Sequence, residues 1–217
     1  MRIPRPRIRN VTMHAHASDV QVADFIEMRL RRALSRERGG IAVAFPGGST
    51  PAPILAELAT RSLQWSRINV YPTDDRDVDE DDPASNYGAL RDALEPAGAL
   101  VTPLAEGFDV PHFSLVWLGM GTDGHIASLF PSSDPRVDDP QPVRRIRPDP
   151  LPEDAPYERI SLTLPALLAS DEIVFVIRGI AKKALFTEAI EGGNDLPVRR
   201  LLAERDGQIG KPLTCFT

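Results

Sequence analysis

Leu115-Val116-Trp117-Leu118-Gly119-Met120-Gly121-Thr122-Asp123-Gly124-His125 decides how the rest of this chain is read. Four consecutive apolar residues read as a strand buried on both faces, and a glycine-rich turn follows at once. The glycines match G-x-G-x-x-G, so a dinucleotide site has to be weighed. That fingerprint needs a long helix immediately after it, and Pro131 leaves room for little more than a turn or two. It also needs an acid about 20 positions on, at a strand end. Here that region holds only Asp138 and Asp139, in a proline-rich stretch. The dinucleotide reading is rejected. His125 then lies where the chain emerges at the sheet's carboxyl edge. With Asp123 two residues earlier, it suits a general base oriented by a carboxylate; a structural histidine is the other reading.

Working outward, the same strand-then-turn pattern repeats. Ser18 or Asp19 caps a first helix with Val22, Ile26, Leu30 and Ala33 on one face, ended by Gly39-Gly40. Ile41 to Phe45 reads as a buried strand, Pro46 to Thr50 as a turn, and Pro51 as the first turn of a helix. Ile68 to Tyr71 is a strand followed by an acidic loop from Asp74 to Asp82, and Ser85 to Leu94 is helical. Downstream, Ile160 to Leu164 and Ile173 to Ile177 read as strands. Pro165 opens a short helix, and Lys182 to Ile190 is a helix stopped by Gly192-Gly193. Pro131 to Pro156, rich in proline and charge, is a functional loop or partly disordered. Strands alternating with helices predict an α/β fold: one doubly wound, mostly parallel, Rossmann-like sheet with helices on both faces, a single domain over residues 1–217. Ligands in such sheets bind beyond the carboxyl ends of the strands. Pro46–Thr50, Asp74–Asp77 and Gly119–His125 all fall there.

Gly47-Gly48-Ser49-Thr50 between a strand and a helix either cradles an anion with backbone N–H groups or is a tight turn with a hydroxyl cap. No lysine follows the glycines, so it is not a Walker A loop. Asp74-Asp75-Arg76 either orients an arginine toward a phosphate or is a solvated acidic loop. Lys182 and Lys183, after Gly179-Ile180-Ala181, and Arg159, ahead of a strand, are each open to an anion-binding and a solvated reading. No H-E-x-x-H-type spacing and no G-x-S-x-G elbow occurs, so neither metal-activated water nor a serine nucleophile is supported, and no cofactor is expected.

Composition bounds the partners. The 217 residues carry 42% hydrophobic and 26% charged residues, ordinary for a folded globular chain. No apolar run approaches the roughly 18 residues of a membrane span. The net charge of −6 does not favour nucleic acid or anionic membrane, despite Arg2, Arg5, Arg7 and Arg9 near the start. An anionic ligand must therefore be held by a local basic cluster. The one cysteine, Cys215, excludes an internal disulfide and fits a reducing cytoplasm.

Taken in order, these segments resemble the 6-phosphogluconolactonase family from about Ile41 to Ile190. The family's glycine-Ser-Thr-Pro turn stands as Gly47-Gly48-Ser49-Thr50-Pro51. Its Asp-Glu-Arg loop with a following Ser-Asn pair stands as Asp74-Asp75-Arg76 and Ser85-Asn86. Its Gly-x-Gly-x-Asp-Gly-His-x-Ala-Ser-Leu-Phe-Pro signature runs ungapped from Gly119 to Pro131. Its Arg-Ile-x-Leu-Thr-Leu-Pro segment is Arg159 to Pro165, and its Gly-x-x-Lys is Gly179 to Lys182. Glucosamine-6-phosphate deaminases and isomerases share the glycine turn and the Asp-Gly-His core but place an acid five residues after the histidine; here that position is Phe130. The chain also departs from the resembled family. Glu153 and Asp154 stand where a lysine between prolines is usual, Asp75 is the shorter acid, and Leu196 to Thr217 matches loosely.

The resemblance implies hydrolysis of 6-phospho-D-glucono-1,5-lactone to 6-phosphogluconate without a cofactor. His125, Asp123 and Asp74 would form the catalytic set, with His125 as base. Gly47, Gly48, Ser49, Thr50, Arg76, Asn86, Gly121, Arg159 and Lys182 would bind the sugar phosphate. A deaminase or isomerase, or a non-enzymatic sugar-phosphate sensor, is the alternative. Monomer and homodimer both remain open.

Overall fold

Leu115–Leu118 is the central strand of the molecule, and its side chains alternate between two apolar clusters. Leu115 and Trp117 pack into one with helices from the first half of the chain. Val116 and Leu118 pack into the other with helices from the second half. A strand apolar on both faces has to be covered on both faces, and the chain supplies a helical layer for each.

The computed structural model describes residues 5–151 and 156–217. In chain order its elements are β1 (Val11–His14), α1 (Asp19–Arg36), β2 (Ile41–Phe45), α2 (Pro51–Ala59), β3 (Ile68–Pro72) and β4 (Asp74–Arg76). There follow α3 (Asn86–Leu94), β5 (Leu100–Val101), β6 (Leu115–Leu118), β7 (Val143–Ile146), β8 (Arg159–Leu162) and α4 (Leu164–Leu168). The chain closes with β9 (Ile173–Val176), α5 (Ile180–Glu191), α6 (Pro197–Asp206) and β10 (Leu213–Phe216). Seven strands form one sheet in the order β1-β10-β9-β6-β2-β3-β5. Every neighbouring pair in it is parallel. Residues of α1, α2 and α3 cover one face, and residues of α4, α5 and α6 the other. The α/β doubly wound sheet expected from the alternating pattern is the fold. Among the described residues, no helix is long and apolar enough to cross a membrane.

Local signals explain the helix starts. Ser18 caps α1: its side chain accepts from the Gln21 N–H, and the Gln21 side chain accepts from the Ser18 N–H at 2.8 Å. Val22, Ile26 and Leu30 are fully buried, as their four-residue spacing requires; Leu34, not Ala33, completes the stripe. The helix ends at Arg36, ahead of Gly39-Gly40. Proline opens α2, α4 and α6, where a missing N–H costs nothing. Gly192 ends α5 at φ 82°, a left-handed cap that glycine adopts without strain.

Three expectations need correction. Asp74–Arg76 is a strand rather than a loop; it pairs antiparallel with β8, which pairs antiparallel with β7. The strand at Arg159–Leu162 therefore belongs to this small second sheet, not to the parallel one. It ends at Leu162 because Leu164 already opens α4. The segment from Pro131 to Pro156 contains β7, so it is not wholly loop. Residues with weak strand propensity become strands here because Ile160, Leu162 and Val143 anchor them against the second-half apolar cluster. Glu153 and Asp154 lie outside the described residues, as does Arg2. Arg5 and Arg7 are ion-paired with Asp195 and Glu191.

Candidate active site

The strand order reverses between β2 and β6: β3 and β5 lie on one side of that pair, β9 and β10 on the other. A crevice opens at such a switch point, beyond the carboxyl ends of the strands. The main cleft, about 950 Å³, lies there. Each strand end contributes to its wall: Pro46 to Pro51 after β2, Thr73, Asp74 and Arg76 after β3, Gly119 to Asp123 and His125 after β6, and Val176, Arg178 and Lys182 around the end of β9.

His125 and Asp123 form its most defined pair. His125 Nδ1 lies 2.6 Å from Asp123 Oδ1, and the His125 backbone N–H donates to the same oxygen at 3.1 Å. Burial pushes the Asp123 carboxyl up. The hydrogen bond and charge of His125, with backbone N–H groups, outweigh that and hold it below its ordinary 3.8. An ionised carboxylate can only accept, so the Nδ1 position carries the imidazole hydrogen and Nε2 keeps a lone pair. Gly121 makes room for the ring. A β-carbon there would lie 2.2 Å from Cε1 and Nδ1 of His125 and 2.7 Å from Asp123 Oδ1. The Gly121 N–H donates to the His125 carbonyl at 2.9 Å, closing the loop. On another side the Phe130 ring stands 4.6 Å from the imidazole, centre to centre. The position that would carry an acid in a deaminase thus holds a buried aromatic ring against the imidazole.

Asp74 is held from both sides. Its Oδ1 accepts from Thr73 Oγ1 at 3.0 Å, and its Oδ2 from Ser128 Oγ at 2.5 Å. Ser128 follows His125 by three residues, and its backbone N–H donates to Ser161 Oγ of β8 at 3.2 Å. The small sheet is therefore fastened to the histidine loop through two serines. Asn86 is buried; its Nδ2 donates to the Asp74 carbonyl at 2.8 Å. Its side chain also fills the space that a β-carbon on Gly47 would need, 2.1 Å from Oδ1. Gly47 is thus glycine so that the β2 turn can lie on Asn86.

Asp75, the shorter acid of the sequence, is buried and serves the first N–H groups of α3, whose cap is Ser85. Its carboxylate accepts from the backbone N–H groups of Arg76, Asn86 and Tyr87 at 2.8, 2.6 and 3.0 Å. Burial raises its pKa above 3.8, and those three hydrogen bonds pull the other way. It fixes the spot from which Arg76 enters the cleft, while Arg76 itself donates through Nη1 to the Ala84 carbonyl at 2.8 Å.

The cleft therefore brings together Gly47, Gly48, Ser49, Thr50, Asp74, Arg76, Asn86, Gly121, Asp123, His125 and Lys182. Arg159 is different. It is 4% exposed, donates to the Tyr157 carbonyl at 3.0 Å, and is not among the described residues that line the cleft. It starts β8, where it stands opposite Arg76 of β4 in the antiparallel pair. Arg178, which carried no expectation, does line the cleft. So do Asp149, Pro150 and Leu151, from the proline-rich segment after β7. Placement at a strand's carboxyl end was the available signal for Arg178; for 149–151 no local pattern points there. Among the described residues, no group of three or more His, Cys, Asp or Glu side chains is placed to hold a metal ion.

Comparison with known proteins gives the family. The family model described as glucosamine-6-phosphate isomerases/6-phosphogluconolactonase matches residues 14–106 and 95–209. The chain is 37% identical to the 6-phosphogluconolactonase of Caulobacter vibrioides, over 81% of this chain and 83% of that protein. It is 35% identical to that of Pseudomonas aeruginosa, over 80% and 82%. In fold it is similar to a crystal structure of a 6-phosphogluconolactonase from Shewanella baltica, with a TM-score of 0.79, 24% identity, and coverage of 97% and 98%. Matched by that family model over most of its length, and at least 35% identical to these two relatives over four-fifths of the chain, the chain belongs to the glucosamine-6-phosphate isomerase/6-phosphogluconolactonase family.

Proposed function

We propose that the protein hydrolyses 6-phospho-D-glucono-1,5-lactone to 6-phosphogluconate, acting in the cytoplasm as a single domain, monomeric or homodimeric. The observation that carries this reading is the His125–Asp123 pair at the switch-point cleft, with Phe130 rather than an acid beside it. The homologues' name, 6-phosphogluconolactonase, supports the substrate.

His125 Nε2 takes a proton from water as the water oxygen bonds to the lactone carbonyl carbon. Asp123 stabilises the imidazolium that forms. The tetrahedral intermediate collapses by breaking the bond from that carbon to the ring oxygen, and His125 returns its proton to the departing oxygen. The product carboxylic acid then loses a proton to solvent. The developing oxyanion needs donors. The Gly121 and Gly124 N–H groups are spent inside the histidine loop, which favours the Gly47–Thr50 turn. Asp74, fixed by Thr73 and Ser128, accepts from substrate hydroxyls, and Asn86 keeps it and the glycine turn in register. Arg76 and Lys182 approach the phosphate from different walls.

Generating the lactone in situ from glucose 6-phosphate, at controlled pH, tests the proposal. The expected result is disappearance well above the spontaneous rate, saturating with substrate, with 6-phosphogluconate as product. No acceleration by folded protein, or ammonia release from glucosamine 6-phosphate instead, would move the chain to the isomerase reading.

A further inference from the structure

We infer that Arg178 is a specificity-determining residue that grips the phosphate group of the substrate, with Asp19 as its positioning residue. This rests on the lactonase reading above and adds a cation to Arg76 and Lys182 at the cleft wall.

The start of α5 runs against ordinary helix chemistry. A helix N-terminus favours acids and a capping side chain. This one has no acid in its first turn, and its cap is Gly179, which makes no side-chain hydrogen bond. Gly179 also sits at φ 91°, a conformation that side-chain-bearing residues rarely adopt. Around that uncapped end stand Arg178 and Lys182, and both line the cleft. Cations gathered at the positive end of a helix cost stability until an anion joins them. The first-turn N–H groups and the two cations then point to the same ligand chemistry, a phosphate.

Arg178 is held so that it can take that part. One terminal nitrogen, Nη2, donates to Asp19 Oδ1 at 3.2 Å. Its side chain is 29% exposed and that of Asp19 is 44% exposed, so the pair adds little to stability. A guanidinium has five N–H donors, and one contact from the first turn of α1 orients the fork without using it up. The position also suits the size of the substrate. β9, which delivers Arg178, is the neighbour of β6, which delivers His125. Adjacent strands are about 4.8 Å apart, so the phosphate end and the reacting carbonyl of one hexose lie one strand apart across the cleft. Arg76 enters from β4 of the antiparallel sheet.

Two readouts separate this role from a merely structural one. In turnover, Arg178→Ala is expected to raise KM for the phosphorylated lactone about 10- to 100-fold, the loss of a charged hydrogen-bonded contact. Its rate on unphosphorylated glucono-1,5-lactone should stay within about twofold of wild type. Arg178→Lys should recover part of the loss. Asp19→Asn, which leaves the Ser18 cap in place, should shift KM in the same direction by a smaller factor. In equilibrium titration, 6-phosphogluconate should bind Arg178→Ala more weakly by a similar factor, with gluconate unaffected. Equal losses on both lactones, or unchanged 6-phosphogluconate affinity in a folded variant, would overturn the assignment. Tight 6-phosphogluconate binding that depends on Arg178, without turnover by wild type, would retain it while removing the hydrolysis reading. Wild type that neither binds nor turns over would remove both.

Discussion

The two sheets of this protein divide the work unequally. The seven-stranded parallel sheet is built from apolar runs covered on both faces and delivers His125, Asp123, Lys182 and Arg178 at its carboxyl edge. The three-stranded antiparallel sheet is short and polar: Asp74-Asp75-Arg76 pairs with Arg159–Leu162, which pairs with Val143–Ile146. It delivers Asp74 and Arg76 and reaches the histidine loop through Ser161 and Ser128. On the proposed function, the contrast assigns the base to the large sheet and the placing of the substrate to the small one. Changes on the large sheet should strike kcat, and changes on the small one should strike binding, alignment or local stability.

The largest effect that can break this division is at Asp123. Asp123→Asn no longer enforces the Nδ1–H tautomer, and kcat should fall roughly 10²- to 10⁴-fold, the contribution of a positioned base. A wild-type-like kcat would show that the carboxylate does not set the tautomer. The pH dependence has a definite sign. Asp123 is depressed below 3.8, so its pairing stabilises the fold above that pH and is lost as pH falls through the lowered value. Activity that disappears at higher pH in wild type must titrate elsewhere, and a pH-rate profile checks this. Gly121→Ala comes next. Its β-carbon would meet the imidazole at 2.2 Å, so the ring must shift, and kcat should drop at least about tenfold with little change in fold, because a misplaced base forfeits much of its rate. Circular dichroism beside kinetics separates the two.

Where the small sheet meets the histidine loop, Ser128→Ala removes the 2.5 Å bond to Asp74. A few-fold loss in kcat/KM is expected, roughly what about 1 kcal/mol of hydrogen bonding supplies. An effect as large as that of Asp123→Asn would mean the two sheets are not separable in function. Asp75→Ala should act on stability. It leaves three backbone N–H groups, two at the start of α3 and one at the end of β4, without their acceptor. A loss of about 1–3 kcal/mol in denaturant unfolding is expected. The pH sign is opposite to that of Asp123: burial raises this acid, so keeping it ionised costs folding free energy as pH rises past 3.8.

Legibility in the sequence follows the same line. Ile41–Phe45, Leu115–Leu118 and Ile173–Val176 announce themselves because a strand buried on both faces must be apolar throughout. The edge strand β1 is half-buried or exposed along its length, and β10 lies in the segment that resembles the family only loosely; neither carried an expectation. Asp74-Asp75-Arg76 contradicts strand propensity, because its acids are satisfied by α3 and by Ser128 rather than by water. Most of the cleft was visible because glycines, Asp123 and His125 cluster at one strand end. Arg159 is not among the described residues that line the cleft, although it pairs with Arg76, which does. Arg178 was missed although it stands at the carboxyl end of β9.

His125 as base is the centre of this account, and the lactonase rate of wild type beside His125→Ala tests it most directly. The expected result is a saturable wild-type rate well above the spontaneous one. The variant should lose roughly 10²- to 10⁴-fold in kcat while keeping its melting temperature and its affinity for 6-phosphogluconate. A His125→Ala protein that hydrolyses the lactone nearly as fast as wild type would contradict it.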